Sequence, residues 1–200
     1  MTKEEPSLPK SSDLALIWEQ FKKGDQKAFS ALFERTSDRL YRYGTKFVTD
    51  TESVKDNIQD LFVKLYENRK DLPTLENPLF YLFKSLKNML IDEIRKNEQI
   101  VRISLEEAPF HVNFIYNEQA DDETDEEIKE KFEHVVNLLS DRQKEAIYLR
   151  FQSEMSYEEI AELLRINYQS ARNLIHRAIE KIRREMDLKI FIPLFISIIQ

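Results

Sequence analysis

The sequence predicts an all-α protein of two helical domains joined by an acidic linker. Three observations carry this. Only two glycines, Gly24 and Gly44, occur among 200 residues, too few for a turn-rich β fold. Apolar side chains recur at helical spacing through both halves of the chain. The charge is unevenly spread: the net charge is -7, while residues 98–134 alone hold 12 acidic and 3 basic side chains.

The same counts exclude several functions. Two distant glycines cannot form a dinucleotide or phosphate-binding loop. With no cysteine there is no disulfide framework, thiolate nucleophile or cysteine zinc site. His111, His134 and His176 do not pair at helical spacing, so no metal is expected, and no cofactor. No nucleophile–base pair stands out, so the chain is not expected to be an enzyme. The N-terminus, Met1-Thr2-Lys3-Glu4-Glu5-Pro6, has no apolar run of a secretory signal. The apolar stretch at 190–199 is interrupted by Pro193 and Ser197 and is too short to span a bilayer. A cytoplasmic location is expected.

Residues 1–13 are expected to be a disordered tail. Residues 14–47 read as two helices broken at Lys23-Gly24-Asp25. Asp25 can cap the second, which carries Ala28, Phe29, Leu32, Phe33 and Leu40. Trp18, beside Leu14, Ile17 and Phe21, is expected in the core. A third helix starts near Thr51. Its stripe is Val54, Ile58, Leu61, Phe62 and Leu65, and its other face holds Asp56, Gln59, Asp60, Val63 and Glu67. A fourth begins at Asn77-Pro78, an N-cap followed by proline at the first helical position. It runs through Leu79, Leu82, Phe83, Leu86, Leu90 and Ile94 to about Asn97. Its wet face, Tyr81, Lys84, Lys87, Asn88, Arg95 and Lys96, reads either as ordinary surface or as a platform for single-stranded DNA. Cations follow phosphates, aromatics stack on bases and amides meet base edges.

Residues 98–134 read as a solvated linker. Six acids in the seven-residue run Asp121-Asp122-Glu123-Thr124-Asp125-Glu126-Glu127 repel one another. From 135 to 187 the helical signals return. Ser140-Asp141-Arg142-Gln143 and Ser156-Tyr157-Glu158-Glu159 are capping boxes. After a helix over residues 157–164 comes the turn Arg165-Ile166-Asn167. A last helix then carries the stripe Ala171, Leu174, Ile175, Ala178, Ile179 and Ile182. Two helices joined by such a turn predict a helix-turn-helix, whose second helix presents its N-terminal polar residues to a major groove. Gln169, Ser170, Arg172 and Asn173 occupy those positions, followed by Arg177 and Lys181. Gln, Asn and Arg can each make two hydrogen bonds to a base edge. Between 165 and 184 there are six basic residues and one acid, Glu180.

These motifs together resemble the sigma-70 factors of bacterial RNA polymerase, most closely the small extracytoplasmic-function (ECF) type. Residues 56–66 (DNIQDLFVKLY) are similar to that family's core-binding helix, and residues 81–92 (YLFKSLKNMLID) to its promoter-melting helix. Residues 139–145, 156–161 and 175–178 resemble its C-terminal signature. The chain departs from the family at Arg165 and Asn167, where Gly-x-Ser is commoner, and at Ala171-Arg172-Asn173-Leu174, where V-K-S-R is usual.

The resemblance implies a sigma factor that directs core polymerase to a subset of promoters. It implies region 2 over residues 14–97 and region 4 over 135–187. Asp56, Gln59, Asp60 and Val63 would dock on the β′ clamp helices, and region 4 on the β flap. Tyr81, Lys84, Lys87, Asn88 and Arg95, with the loop at 68–77, would bind the melted -10 element. Gln169, Ser170, Arg172, Asn173, Arg177 and Lys181 would bind the duplex -35 element. The linker would thread toward the polymerase active site and RNA exit path. Two rivals remain at this point: a stand-alone helix-turn-helix regulator, and a helical adaptor whose basic helix binds an acidic protein. The family does not account for the apolar tail at 188–200, which either folds back, meets an anti-sigma factor or touches a membrane without stable insertion.

Overall fold

The computed structural model describes residues 11–97, 109–112 and 123–198, and its regular structure there is all helix. In chain order the elements are α1 (Ser11–Lys22), α2 (Gln26–Gly44), α3 (Thr51–Glu67), α4 (Pro78–Asn97), α5 (Glu123–Leu138), α6 (Asp141–Phe151), α7 (Tyr157–Leu163), α8 (Tyr168–Glu185) and α9 (Leu188–Ile198). The chain divides into two compact units, residues 1–92 and 93–200, with the boundary inside α4. The sequence expectation placed the first division after residue 97. Residues 1–10 and most of the linker lie outside the described residues.

In the first unit, local chemistry sets the helix ends. Gly24 has φ +92 between α1 and α2, a left-handed conformation that side chains resist. Asp25 then accepts bonds from the amides of Lys27 and Ala28, and Asp50 does the same for Glu52 and Ser53 at the start of α3. Each such cap contributes about 1 kcal/mol. Asn77 Oδ1 accepts from the Phe80 amide ahead of Pro78. The core joins Trp18 and Phe21 of α1, Leu32 and Tyr43 of α2, the α3 stripe, and Phe83, Leu86 and Leu90 of α4. Tyr43 lies 4.6 Å from Phe83 between ring centres. Phe33, expected among the apolar residues of α2, is 41% exposed.

In the second unit both expected capping boxes form, at Ser140/Gln143 and Ser156/Glu159. Ala171, Ile175, Ala178 and Ile182 of α8 are buried, while Leu174 and Ile179 are half-buried. Helix begins at Glu123, inside the stretch read as linker, and Phe132, Val135 and Val136 of α5 are buried. Acidic composition marks solvation but does not prevent helix when the opposite face has a core to meet. Within the described stretch 109–112, Phe110 is buried against Tyr148 of α6, ring centres 5.7 Å apart. The apolar tail folds back as α9. Phe191 stacks on Phe132 at 5.0 Å and on Phe195 at 5.4 Å. Among the described residues no helix is long and apolar enough to cross a membrane.

Candidate functional site

Three surfaces carry the chemistry. The first is a groove between α2 and α3 of about 650 Å³. Phe29, Phe33, Tyr41, Ile58, Phe62 and Val63 line it, with Asp38, Lys55 and Gln59 among the polar lining residues. Two of the four expected docking residues, Gln59 and Val63, therefore line a built concavity. Asp56 and Asp60 are exposed on the same helix. Lys55 donates to Glu52 at 2.7 Å, a bond that raises the lysine above its ordinary value. The sequence reading missed the aromatic part of this surface: Phe33 is 41% and Tyr66 37% exposed. Phe33 meets Phe62 edge-on at 4.9 Å, and Phe29 meets Tyr66 at 5.2 Å. Large apolar side chains left in solvent beside carboxylates suit a partner that brings apolar anchors flanked by cations.

The second surface is the wet side of α4 with the loop before it. Trp18 donates its indole N–H to the Pro73 carbonyl at 2.8 Å, and Lys22 reaches Thr74 at 3.1 Å. Both bonds fasten the loop to α1. Tyr81 packs on Trp18 with ring centres 5.5 Å apart and stays half-buried, as do Lys84, Asn88 and, past the unit boundary, Arg95. Lys87 corrects the expectation. It is 1% exposed, with its ammonium 5.5 Å from the centre of the Phe47 ring. It lies four residues after Phe83 and three before Leu90, so it occupies the buried stripe itself. In this conformation its ammonium is closed off from solvent. Beside Phe47 in the sequence, Lys46 is 8% exposed, and burial pushes its ammonium below the ordinary lysine value.

The third surface is the α7–turn–α8 segment. Leu164 caps α7, and its carbonyl accepts from Arg142 Nη2 at 2.7 Å. Arg165 follows with φ +52, then Asn167 caps α8 by accepting from the Ser170 amide at 2.7 Å. The left-handed residue is the one that replaces a glycine of the family pattern. Gln169, Arg172, Asn173 and Arg177 are exposed, and Ser170 is half-buried. Gln169 Nε2 donates to Asn173 Oδ1 at 3.1 Å. Lys181 is exposed, but its ammonium donates to the Leu138 carbonyl at 2.9 Å and to Gln143 Oε1 at 3.1 Å. It ties α8 to the junction of α5 and α6, a role that spacing along α8 could not reveal.

Comparison with known proteins fits this geometry. The sigma-70 region 2 model matches residues 32–100, and the sigma-70 region 4 model matches residues 129–182. Together they span more than half of the chain. The ECF RNA polymerase sigma factor SigW of Bacillus subtilis is 26% identical over 84% of this chain and 93% of its own length. SigK of Mycobacterium sp. strain KMS, also an ECF sigma factor, is 23% identical over 78% of this chain and 82% of its own. Among solved structures, the sigma factor RpoE of Bartonella quintana, crystallised with the anti-sigma factor NepR, aligns with a TM-score of 0.56 at 21% identity. It covers 79% of this chain and 96% of RpoE, and supports the shared fold.

Proposed function

Because this chain belongs to the sigma-70 family, in its ECF branch, we propose that each of its three surfaces serves one step of promoter opening. The protein is a sigma factor: it binds core RNA polymerase and directs promoter recognition, melting and initiation. One observation carries this: region 2 and region 4 follow each other in a single chain. A stand-alone helix-turn-helix regulator has no use for the first.

Core binding is assigned to the α2–α3 groove and to Asp56, Gln59, Asp60 and Val63, which take the β′ clamp helices. Phe33 and Tyr66 join them as apolar contacts. The second unit sits at the β flap. Tyr81, Lys84, Asn88 and Arg95, with the loop at 68–77, take the melted -10 strand. Extruding a base costs a few kcal/mol, which stacking and hydrogen bonds in the site must offset. The two bonds that fasten the loop to Trp18 and Lys22 support this, since a preorganised site loses less entropy on binding. Gln169, Ser170, Arg172, Asn173 and Arg177 take the -35 duplex. Lys181 positions α8, and Lys87 belongs to the core. Work of this kind is done in the cytoplasm, and an anti-sigma factor is the proposed regulator.

Run-off transcription with purified core polymerase tests the whole reading. A promoter-dependent transcript that requires this protein is expected. No transcript together with no core binding overturns it.

A further inference from the structure

The residue that opens α8 was not among the expected DNA contacts. Tyr168 is 43% exposed, and it stands within a run of contacts that crosses three helices. In α6, the Arg150 guanidinium lies 4.8 Å from the centre of the Tyr157 ring and donates to the Met155 carbonyl at 2.8 Å. Tyr157 opens α7 and meets Tyr168 edge to face at 6.1 Å. Tyr168 in turn lies under the Arg172 guanidinium, whose carbon is 5.9 Å from the ring centre. Tyr168 and Arg172 are four residues apart, on one face of the helix. Gln169 and Asn173, at the same spacing one position along, are joined by their 3.1 Å bond.

The reading residues are therefore two organised pairs rather than independent side chains. The amide pair leaves Gln169 Oε1 and the Asn173 amide protons for a base edge. Arg172 faces a competition. Half to two-thirds of protein–DNA hydrogen bonds go to phosphate and sugar, and a long cationic side chain left alone is drawn to them. A ring against one face of the guanidinium limits its rotamers before DNA arrives, while the planar fork of N–H groups keeps its donors.

We propose that Tyr168, braced by Tyr157 and Arg150, is a positioning residue for promoter discrimination: it holds Arg172 toward a base edge and away from the phosphates. This rests on the assignment of α8 to the -35 element. The test uses holoenzyme reconstituted with core polymerase, a promoter that it transcribes, and single-base variants across the -35 element. Arg172→Ala is expected to lose discrimination at one base pair. Tyr168→Leu is expected to lose about two- to fivefold of it at the same base pair, the worth of an exposed cation–ring contact. Tyr168→Phe retains it, and Tyr168→Leu combined with Arg172→Ala is no worse than Arg172→Ala. Discrimination is a ratio of affinities, so partial unfolding of a variant does not imitate its loss. Equal weakening on every sequence by Tyr168→Leu makes Tyr168 a phosphate contact and overturns the proposal. So does full discrimination in Tyr168→Leu while Arg172→Ala has lost it. If Arg172→Ala changes discrimination nowhere, the base-reading assignment of α8 falls, and this proposal with it.

Discussion

Gly44 closes α2 where three helices meet. A Cβ there would stand 2.6 Å from Val54 Cγ1, 3.4 Å from Leu90 Cδ1 and 3.5 Å from Leu86 Cδ2. Gly44→Ala is expected to destabilise the first unit by about 1–3 kcal/mol, as overpacked sites do; an unchanged denaturant midpoint would mean α3 gives way freely. Lys46 offers the opposite case. Its ammonium is held below the ordinary value of 10.5 by burial, so the unfolded chain binds more protons in the window just under 10.5, and stability rises with pH there. Lys46→Met is therefore expected to raise the melting temperature at neutral pH, and the gain should shrink as pH climbs to 10.5. A gain independent of pH would assign the effect to packing alone. Arg165 accepts a left-handed backbone at φ +52 without glycine, with its neighbours' caps on both sides holding the turn.

At the scale of the element, α3 is a helix with two working faces. Val54, Ile58, Leu61, Phe62 and Leu65 are buried, and Asp56, Gln59, Asp60 and Val63 are exposed. Changing Gln59 and Asp60 together to Ala is expected to weaken core-polymerase binding, measured by titration, while the melting temperature of the free protein holds. A large drop in melting temperature would make the face structural. Phe33→Ser on α2 should weaken the same titration, because the ring is 41% exposed and lines the groove. The helix α9, beyond the residues matched by the region 4 model, packs against α8, α6 and Phe132 of α5. Phe191 is fully buried between Phe132 and Phe195, so Phe191→Ala is expected to cost the second unit about 3–5 kcal/mol. Retained stability would mean the stack contributes little in solution.

For the whole molecule, net charge alone misleads. The value of -7 averages the acidic stretch 98–134 with flanking sequence of near-neutral balance, which includes the basic helix α8. Long-range repulsion from the acidic segment should oppose encounter with DNA at low salt, where screening is weakest. The free protein is therefore expected to bind a -35 duplex weakly in fluorescence anisotropy, and tightly only as holoenzyme. Tight, sequence-specific binding by the free chain would show that the second unit needs no help from polymerase.

Though silent on α5 and α9, sequence by itself determined most of the helices and the helix-turn-helix, because these rest on local rules: side-chain oxygens meeting orphan amides, apolar spacing of three and four, and a short turn. It also identified the family, through motifs in order. Tertiary structure decided what local spacing cannot see. Spacing alone already put Lys87 on the apolar stripe of α4, but only the fold shows that the site is closed, with the ammonium over the Phe47 ring. Lys181 stays exposed, and only the fold shows its bonds to the Leu138 carbonyl and Gln143 Oε1, 43 and 38 residues away. Phe33 was only one apolar residue of its helix until the fold placed it, 41% exposed, in the groove between α2 and α3. Exposure is a property of what packs against a residue, and that is set by neighbours distant in the chain.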